Sequence, residues 1–155
     1  MILFSEMAGG NGIACSATGI LDGDALYHAK VGLNERFPRI SEWYFAFVDL
    51  SAVTQFDITA AQLEKIADQD RKLARFARRG LPVAIVVQGD LGFGISRMWQ
   101  AASELTGWDT QVFRDRARAI AWLRHQVLTS YAIDLPQLLD EPNAEPPAVG
   151  KAAPF

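Results

Sequence analysis

Four polar side chains lie in the stretch FAFVDLSAVTQFDIT (residues 45–59), after a run of hydrophobic residues. They are Asp49, Ser51, Asp57 and Thr59. Carboxylates and hydroxyls of this kind serve in proton transfer, as phosphorylation switches, or as caps that begin a helix. The elements that surround them must decide among these three roles.

Thr59 and Gln62 match the capping box, in which a hydroxyl is followed three residues later by Glu or Gln. On this interpretation the Thr59 hydroxyl accepts a hydrogen bond from the Gln62 N–H, and Asp57 interacts favourably with the helix dipole. A phosphate on Thr59 would also lie beside free backbone N–H groups, which favour anions. A cap and a phosphoacceptor are compatible, and both interpretations stay open.

The other reactive side chains form no catalytic or metal-binding motif. Cys15 is the single cysteine, so an intramolecular disulfide is excluded, and its position in a strand favours a small buried hydrophobe. His28 and His125 are far apart and have no neighbouring ligands. The segment GDLGFGIS (residues 89–96) lacks the spacing of a phosphate-binding loop and indicates a tight turn. We therefore predict no catalytic residue, no metal, no cofactor and no enzymatic activity.

Four arginines fall on one face late in the longest helical pattern: Arg71, Arg75, Arg78 and Arg79. Cations near a helix C-terminus are favoured by the helix dipole, which suits a solvated face. The same face also suits contact with an acidic partner or a headgroup.

The chain alternates between strand and helix patterns after an N-terminal hairpin. GGNG separates the two hairpin strands, WYFAFVDL and PVAIVVQ read as core strands, and WDTQVF as a third. Helices are predicted over residues 21–37, 59–79, about 95–105 and 116–128. This order predicts an α/β fold, with a mixed sheet of four to five strands and helices packed against it.

Composition bounds the remaining possibilities. The chain has 155 residues and a net charge of -3, without the basic patch that nucleic-acid binding requires. It has neither a signal peptide nor an apolar run long enough to span a bilayer, so we expect a cytoplasmic protein without stable membrane insertion. Residues 1–133 are predicted as one domain. Residues 134–155 carry five of the seven prolines and are predicted as a flexible tail.

Two stretches resemble the STAS domain, and within it the bacterial SpoIIAA-like group, also described as STAS/SEC14-like. FVDLSAVTQFDIT is similar to the STAS pattern, in which a strand is followed by an Asp-Leu-Ser turn and then by a helix that starts with Asp-Ser-Ser-Gly. Residues 94–123 are similar to the C-terminal part of SpoIIAA-like domains. The resemblance covers roughly residues 1–130. It implies an anti-sigma factor antagonist-like regulatory module whose phosphoacceptor position is Thr59, with Ile58 and Ala60 standing where the pattern has Ser and Gly.

The SEC14-like comparison implies a second function, the binding of an apolar or lipid-like molecule between the sheet and its helices. Residues suited to line such a pocket are Trp43, Phe45, Phe47, Met98 and Trp99. A filled core is the alternative, because protein interiors usually close-pack.

The sequence thus favours a regulatory protein–protein interaction module with a protein partner, contacted through the Asp57–Thr59 helix start and the arginine face. The second hypothesis is a binding protein for a small apolar molecule. A homodimer through the exposed edge of the hairpin is compatible with both.

Overall fold

Within the part of the chain that the structure describes, five strands form one mixed sheet in the order β1-β2-β3-β4-β5. The structure, a computed structural model, describes residues 1–135. β1 runs antiparallel to β2, and every other neighbouring pair is parallel. The strands are β1 (Ile2–Met7), β2 (Gly12–Asp22), β3 (Phe45–Asp57), β4 (Pro82–Val87) and β5 (Asp109–Phe113). The predicted mixed sheet with an N-terminal hairpin is confirmed.

Among residues 1–135, five α-helices connect or follow the strands: α1 (Gly23–Lys30), α2 (Leu33–Arg36), α3 (Ala60–Ala74), α4 (Asp90–Ala102) and α5 (Arg116–Tyr131). Three of them begin at a polar residue whose side chain accepts a hydrogen bond from a backbone N–H of the first turn. These caps are Asp22 for α1, Thr59 for α3 and Asp115 for α5.

The helices cover the sheet on both faces. Residues of α1, α3 and α4 pack with inward-facing residues of β2 and β4 in one apolar cluster, and α5 packs against the other face. Side chains alternate between the faces of a strand. Ala46 and Val48 of β3 therefore pack in the first cluster, and Phe45 belongs to the cluster with α5.

Two predicted helices are shorter than their patterns indicated. The prediction of one helix over residues 21–37 is wrong, because α1 ends at Lys30 and Gly32 takes a left-handed conformation (φ 71°) before α2. The helix predicted over residues 59–79 ends at Ala74. Arg75 is its C-terminal cap, and Arg78 and Arg79 lie beyond the helix.

β3 is longer than predicted. Residues 51–57, which follow the predicted strand WYFAFVDL, continue the strand and pair with the second half of β2. The pairing contains register shifts on either side of Gly19, whose positive φ of 71° fits an irregular β-bulge. This extension places Asp57 at the far end of a long strand.

α4 begins earlier than predicted. The segment expected to be a glycine-rich turn forms its first turns, and Gly89 (φ 79°) is the residue at which the chain turns. In this helix Met98 is exposed and Trp99 is buried. The predicted tail lies outside the described residues, apart from 134 and 135.

No helix within residues 1–135 combines the length and the apolarity that crossing a bilayer requires.

Candidate functional site

A cavity of about 130 Å³ lies between the sheet and the layer formed by α1, α3 and α4. Its wall is almost entirely apolar and is built from residues distant in the sequence. The sheet contributes Ile13, Cys15, Ala46, Val83 and Ile85, and the helices contribute Leu26, Leu63, Leu73, Ile95 and Trp99. Close-packed interiors contain few voids of this kind, so the cavity is a candidate binding site.

Three polar side chains on the wall form one connected group. The Lys30 ammonium donates to both carboxylate oxygens of Asp70 at 2.9 Å, and the Trp99 indole Nε1–H donates to Asp70 Oδ2 at 2.8 Å. The ammonium also lies 5.2 Å from the centre of the Trp99 ring. We call Lys30, Asp70 and Trp99 the polar triad.

The polar triad joins the three helices that cover the cavity, because Lys30 lies on α1, Asp70 on α3 and Trp99 on α4. The Asp70 side chain is only 2% exposed. A charge removed from water in this way is tolerated when it is paired and hydrogen-bonded. The triad therefore fixes the three helices relative to one another above the cavity.

The sequence analysis did not identify the polar triad, although one of its residues stands out in the sequence pattern of α3. Asp70 continues the buried spacing of α3 after Leu63, Ile66 and Ala67, so a carboxylate occupies the inner face of an amphipathic helix. A charged residue on such a face requires a buried partner. Its partner Lys30 is forty residues away in the chain, and only the fold brings the two together.

Cys15 lies on the same wall and is buried. Burial raises the pKa of its thiol to about 12, with Lys30 opposing the shift and Asp70 adding to it. The thiolate is the nucleophilic form of cysteine. Cys15 is therefore protonated near neutral pH and acts as an apolar part of the wall, as expected for a buried cysteine.

Two further groups on the wall are hydrogen-bond donors without partners among the described residues. They are the indole Nε1–H groups of Trp43 and Trp108, both buried. Trp43 is 2% exposed and precedes β3, and Trp108 also borders a polar surface groove of about 420 Å³.

Two of the five residues expected to line an apolar pocket, Trp43 and Trp99, pack in the cluster around the cavity. Phe47 borders the cavity but belongs to the cluster with α5. Phe45 and Met98 do not border the cavity. Phe45 is fully buried among residues of α5 on the opposite face of the sheet, as the alternation of side chains along β3 requires. Met98 points to solvent, 52% exposed, because the inner face of α4 is centred on Gly92, Ser96 and Trp99.

The four polar residues of the segment 45–59 are not brought together. Asp49 Oδ1 accepts from the backbone N–H of Ser51 at 3.0 Å and from its hydroxyl at 2.5 Å, and Asp49 Oδ2 accepts from Arg116 at 2.8 Å. Eight residues of extended strand, about 26 Å, separate Asp49 from Asp57. Asp49 and Ser51 are therefore not part of one site with Thr59.

Thr59 forms both hydrogen bonds of the capping box. Its hydroxyl accepts from the Gln62 N–H at 3.1 Å, and its own N–H donates to the Gln62 side chain at 2.8 Å. The Gln62 amide also donates to Asp24 of α1 at 3.2 Å. Thr59 is exposed, so the cap lies at the surface.

The predicted arginine face is not one surface. Arg71 is half-buried and donates to the Ala102 carbonyl at 3.0 Å, which ties α3 to the end of α4. Arg78 lies 4.1 Å from the ring centre of Tyr44. Arg75 and Arg79 are exposed. Arg78 and Arg79 lie beyond the end of α3 and do not share the helical face of Arg71.

His28 and His125 lie on α1 and α5, which cover opposite faces of the sheet. Within residues 1–135 no three His, Cys, Asp or Glu side chains are grouped so that they could hold a metal ion.

This architecture is similar to a solved structure. It is the crystal structure of an uncharacterized protein from the DUF3478 family, described as having a SpoIIAA-like fold, from Shewanella loihica PV-4. The two are 20% identical with a TM-score of 0.51, over 79% of this chain and 92% of that one. The chain has a SpoIIAA-like fold. No protein-family model matches the sequence, and no curated protein matches it.

The SpoIIAA-like fold of this chain presents two candidate sites. One is the cavity with its polar triad, which the tertiary structure assembles from distant residues. The other is the exposed helix start at Thr59, which the local sequence builds.

Proposed function

We propose that this chain is a non-catalytic binding module that takes a small apolar molecule into the cavity beneath α1, α3 and α4. The observation that carries the proposal is an apolar cavity of about 130 Å³ between the sheet and three helices. An engineered apolar cavity of about 150 Å³ binds benzene. The volume therefore suits a molecule of about six non-hydrogen atoms.

The chemistry of the wall supports binding rather than catalysis. Both oxygens of Asp70 are occupied by Lys30 and Trp99, which limits their use in proton transfer. Cys15 carries its proton near neutral pH because burial raises its pKa to about 12. Neither group is prepared to attack a bound molecule.

Methylcyclopentane should raise the Tm of the protein, because a ligand that binds only the folded state stabilises that state by mass action. At a ligand concentration of a hundred times Kd, the free energy of unfolding should rise by about 2.7 kcal/mol. Ala46→Leu, which extends a side chain from β3 into the cavity, should abolish the shift. Differential scanning calorimetry at several ligand concentrations measures both effects.

Ala52→Leu is the matched control, since Ala52 lies on the same strand, is exposed and does not line the cavity. Its response to methylcyclopentane should equal that of the wild type. An unchanged Tm for wild type at saturating hydrocarbon would rule out the binding proposal.

A second candidate function is a STAS-type regulatory interaction with a protein partner at the Thr59 helix start. It is supported by the exposure of Thr59 at the N-terminus of α3, where backbone N–H groups and the helix dipole favour a phosphate. The exposed Arg75 and Arg79 remain proposed contacts for an acidic partner.

For this second function, the protein purified from its own source should carry the mass of one phosphate, and peptide mapping should place it on Thr59. Thr59→Ala should lose the modification, and Thr59→Ser should keep both the phosphoacceptor and the cap. Wild-type protein of unmodified mass, isolated with phosphatase inhibitors present, would leave Thr59 with the capping role alone.

A further inference from the structure

Unpaired hydrogen-bonding groups on the cavity wall indicate what its occupant must offer. Trp43 and Trp108 line the cavity, and among residues 1–135 their indole Nε1–H groups are buried without a hydrogen-bond partner. Both are donors and neither can accept. A buried donor without a partner is costly, so a group that accepts from it would be bound favourably.

The Asp70 carboxylate, the charged acceptor on the wall, already accepts hydrogen bonds at both of its oxygens. Asp70 Oδ1 accepts from Lys30, and Asp70 Oδ2 accepts from Lys30 and from Trp99. The Ser96 hydroxyl on the same wall can also donate. The partner that Ser96, Trp43 and Trp108 can share is therefore an acceptor.

The charges on the wall cancel. Its charged residues are Lys30 and Asp70, which pair at 2.9 Å. A charged ligand would have to be desolvated without a free counter-charge, which is expensive in an apolar environment. A neutral ligand avoids this cost.

We infer that the cavity binds a neutral apolar molecule that carries one hydrogen-bond acceptor, such as a small cyclic ketone or ether, with its oxygen on the indole N–H of Trp43. This inference rests on the proposed function and narrows its ligand class. Trp43 is the better-placed donor, because it is 2% exposed and Trp108 also borders the surface groove.

The test compares cyclopentanone with methylcyclopentane, which has the same number of non-hydrogen atoms but no acceptor. In ¹⁵N-labelled wild-type protein, cyclopentanone should move the indole N–H resonance of Trp43 downfield in a saturable manner. Methylcyclopentane should bind without that downfield movement. This measurement requires no substitution and so does not depend on a variant folding.

Trp43→Phe provides the second measurement. The loss of one hydrogen bond should weaken cyclopentanone binding about three- to tenfold relative to methylcyclopentane, whose affinity corrects for the change in side-chain volume. Trp108→Phe is the matched control on the same wall and should change the ratio of the two affinities by less than about twofold.

The outcomes separate the two proposals. If neither compound binds wild type, the binding function itself fails and the inference fails with it. If both bind, but Trp43→Phe changes the two affinities equally and the Trp43 resonance does not move downfield with cyclopentanone, the cavity is a binding site and the inference about the acceptor is wrong. A selective loss for cyclopentanone supports both.

Discussion

Asp70→Ala should lower the free energy of unfolding by about 3–5 kcal/mol, because it leaves the Lys30 ammonium inside the protein without its counter-charge. The Trp99 indole N–H also loses its acceptor. Urea denaturation followed by circular dichroism measures the change. A loss of this size is a large fraction of the stability of a typical domain.

Asp68→Ala is the matched control on the same helix. Asp68 pairs with Arg71 and Lys72 at the surface, its side chain is 56% exposed, and its removal should cost less than about 1 kcal/mol. If Asp70→Ala cost no more than Asp68→Ala, the buried ion pair would not stabilise the fold.

The double variant Lys30→Met, Asp70→Leu separates the cost of an unpaired charge from the value of the pair. Replacement of a buried ion pair by apolar residues of similar volume is often nearly neutral. The double variant should therefore be more stable than Asp70→Ala alone. We expect a residual loss of about 1–3 kcal/mol, because Trp99 still lacks its acceptor.

Phe45→Ala should also cost about 3–5 kcal/mol of unfolding free energy, since Phe45 is fully buried against α5 and truncation leaves a void. It should leave the Kd for methylcyclopentane unchanged below the lowered Tm, because Phe45 does not line the cavity. Urea denaturation and ligand titration by NMR measure the two quantities separately.

Met98→Ala is the complementary variant. Met98 is half-exposed, so the free energy of unfolding of this variant should match that of the wild type within about 0.5 kcal/mol. The Kd of the variant for methylcyclopentane should also equal that of the wild type. A loss of ligand binding in either variant, with the fold intact, would show that the binding site extends beyond the cavity wall described above.

Elements whose causes are local were predicted well. The capping box of α3 depends on two residues three apart, and the chain places Thr59 and Gln62 there. The hairpin turn, the apolar strand β4 and the alternation of strand and helix likewise follow from short patterns, and together they predicted the mixed α/β sheet.

Elements that depend on contacts between residues distant in the sequence were not predicted. β3 extends through polar residues to Asp57 because the second half of β2 pairs with it, and no pattern within 51–57 encodes that partner. The face that Phe45 occupies was also misjudged. Phe45 points to α5, whereas Trp43, just before β3, points to the cavity.

The sequence by itself therefore determined the helix caps, the turn residues and the α/β architecture, because each depends on neighbouring residues and on periodic burial. The tertiary structure alone decided the site. A cavity is space left between side chains from many elements, and the Lys30–Asp70–Trp99 triad joins residues forty and twenty-nine positions apart. Such contacts arise only when the chain packs, so no local pattern carries them.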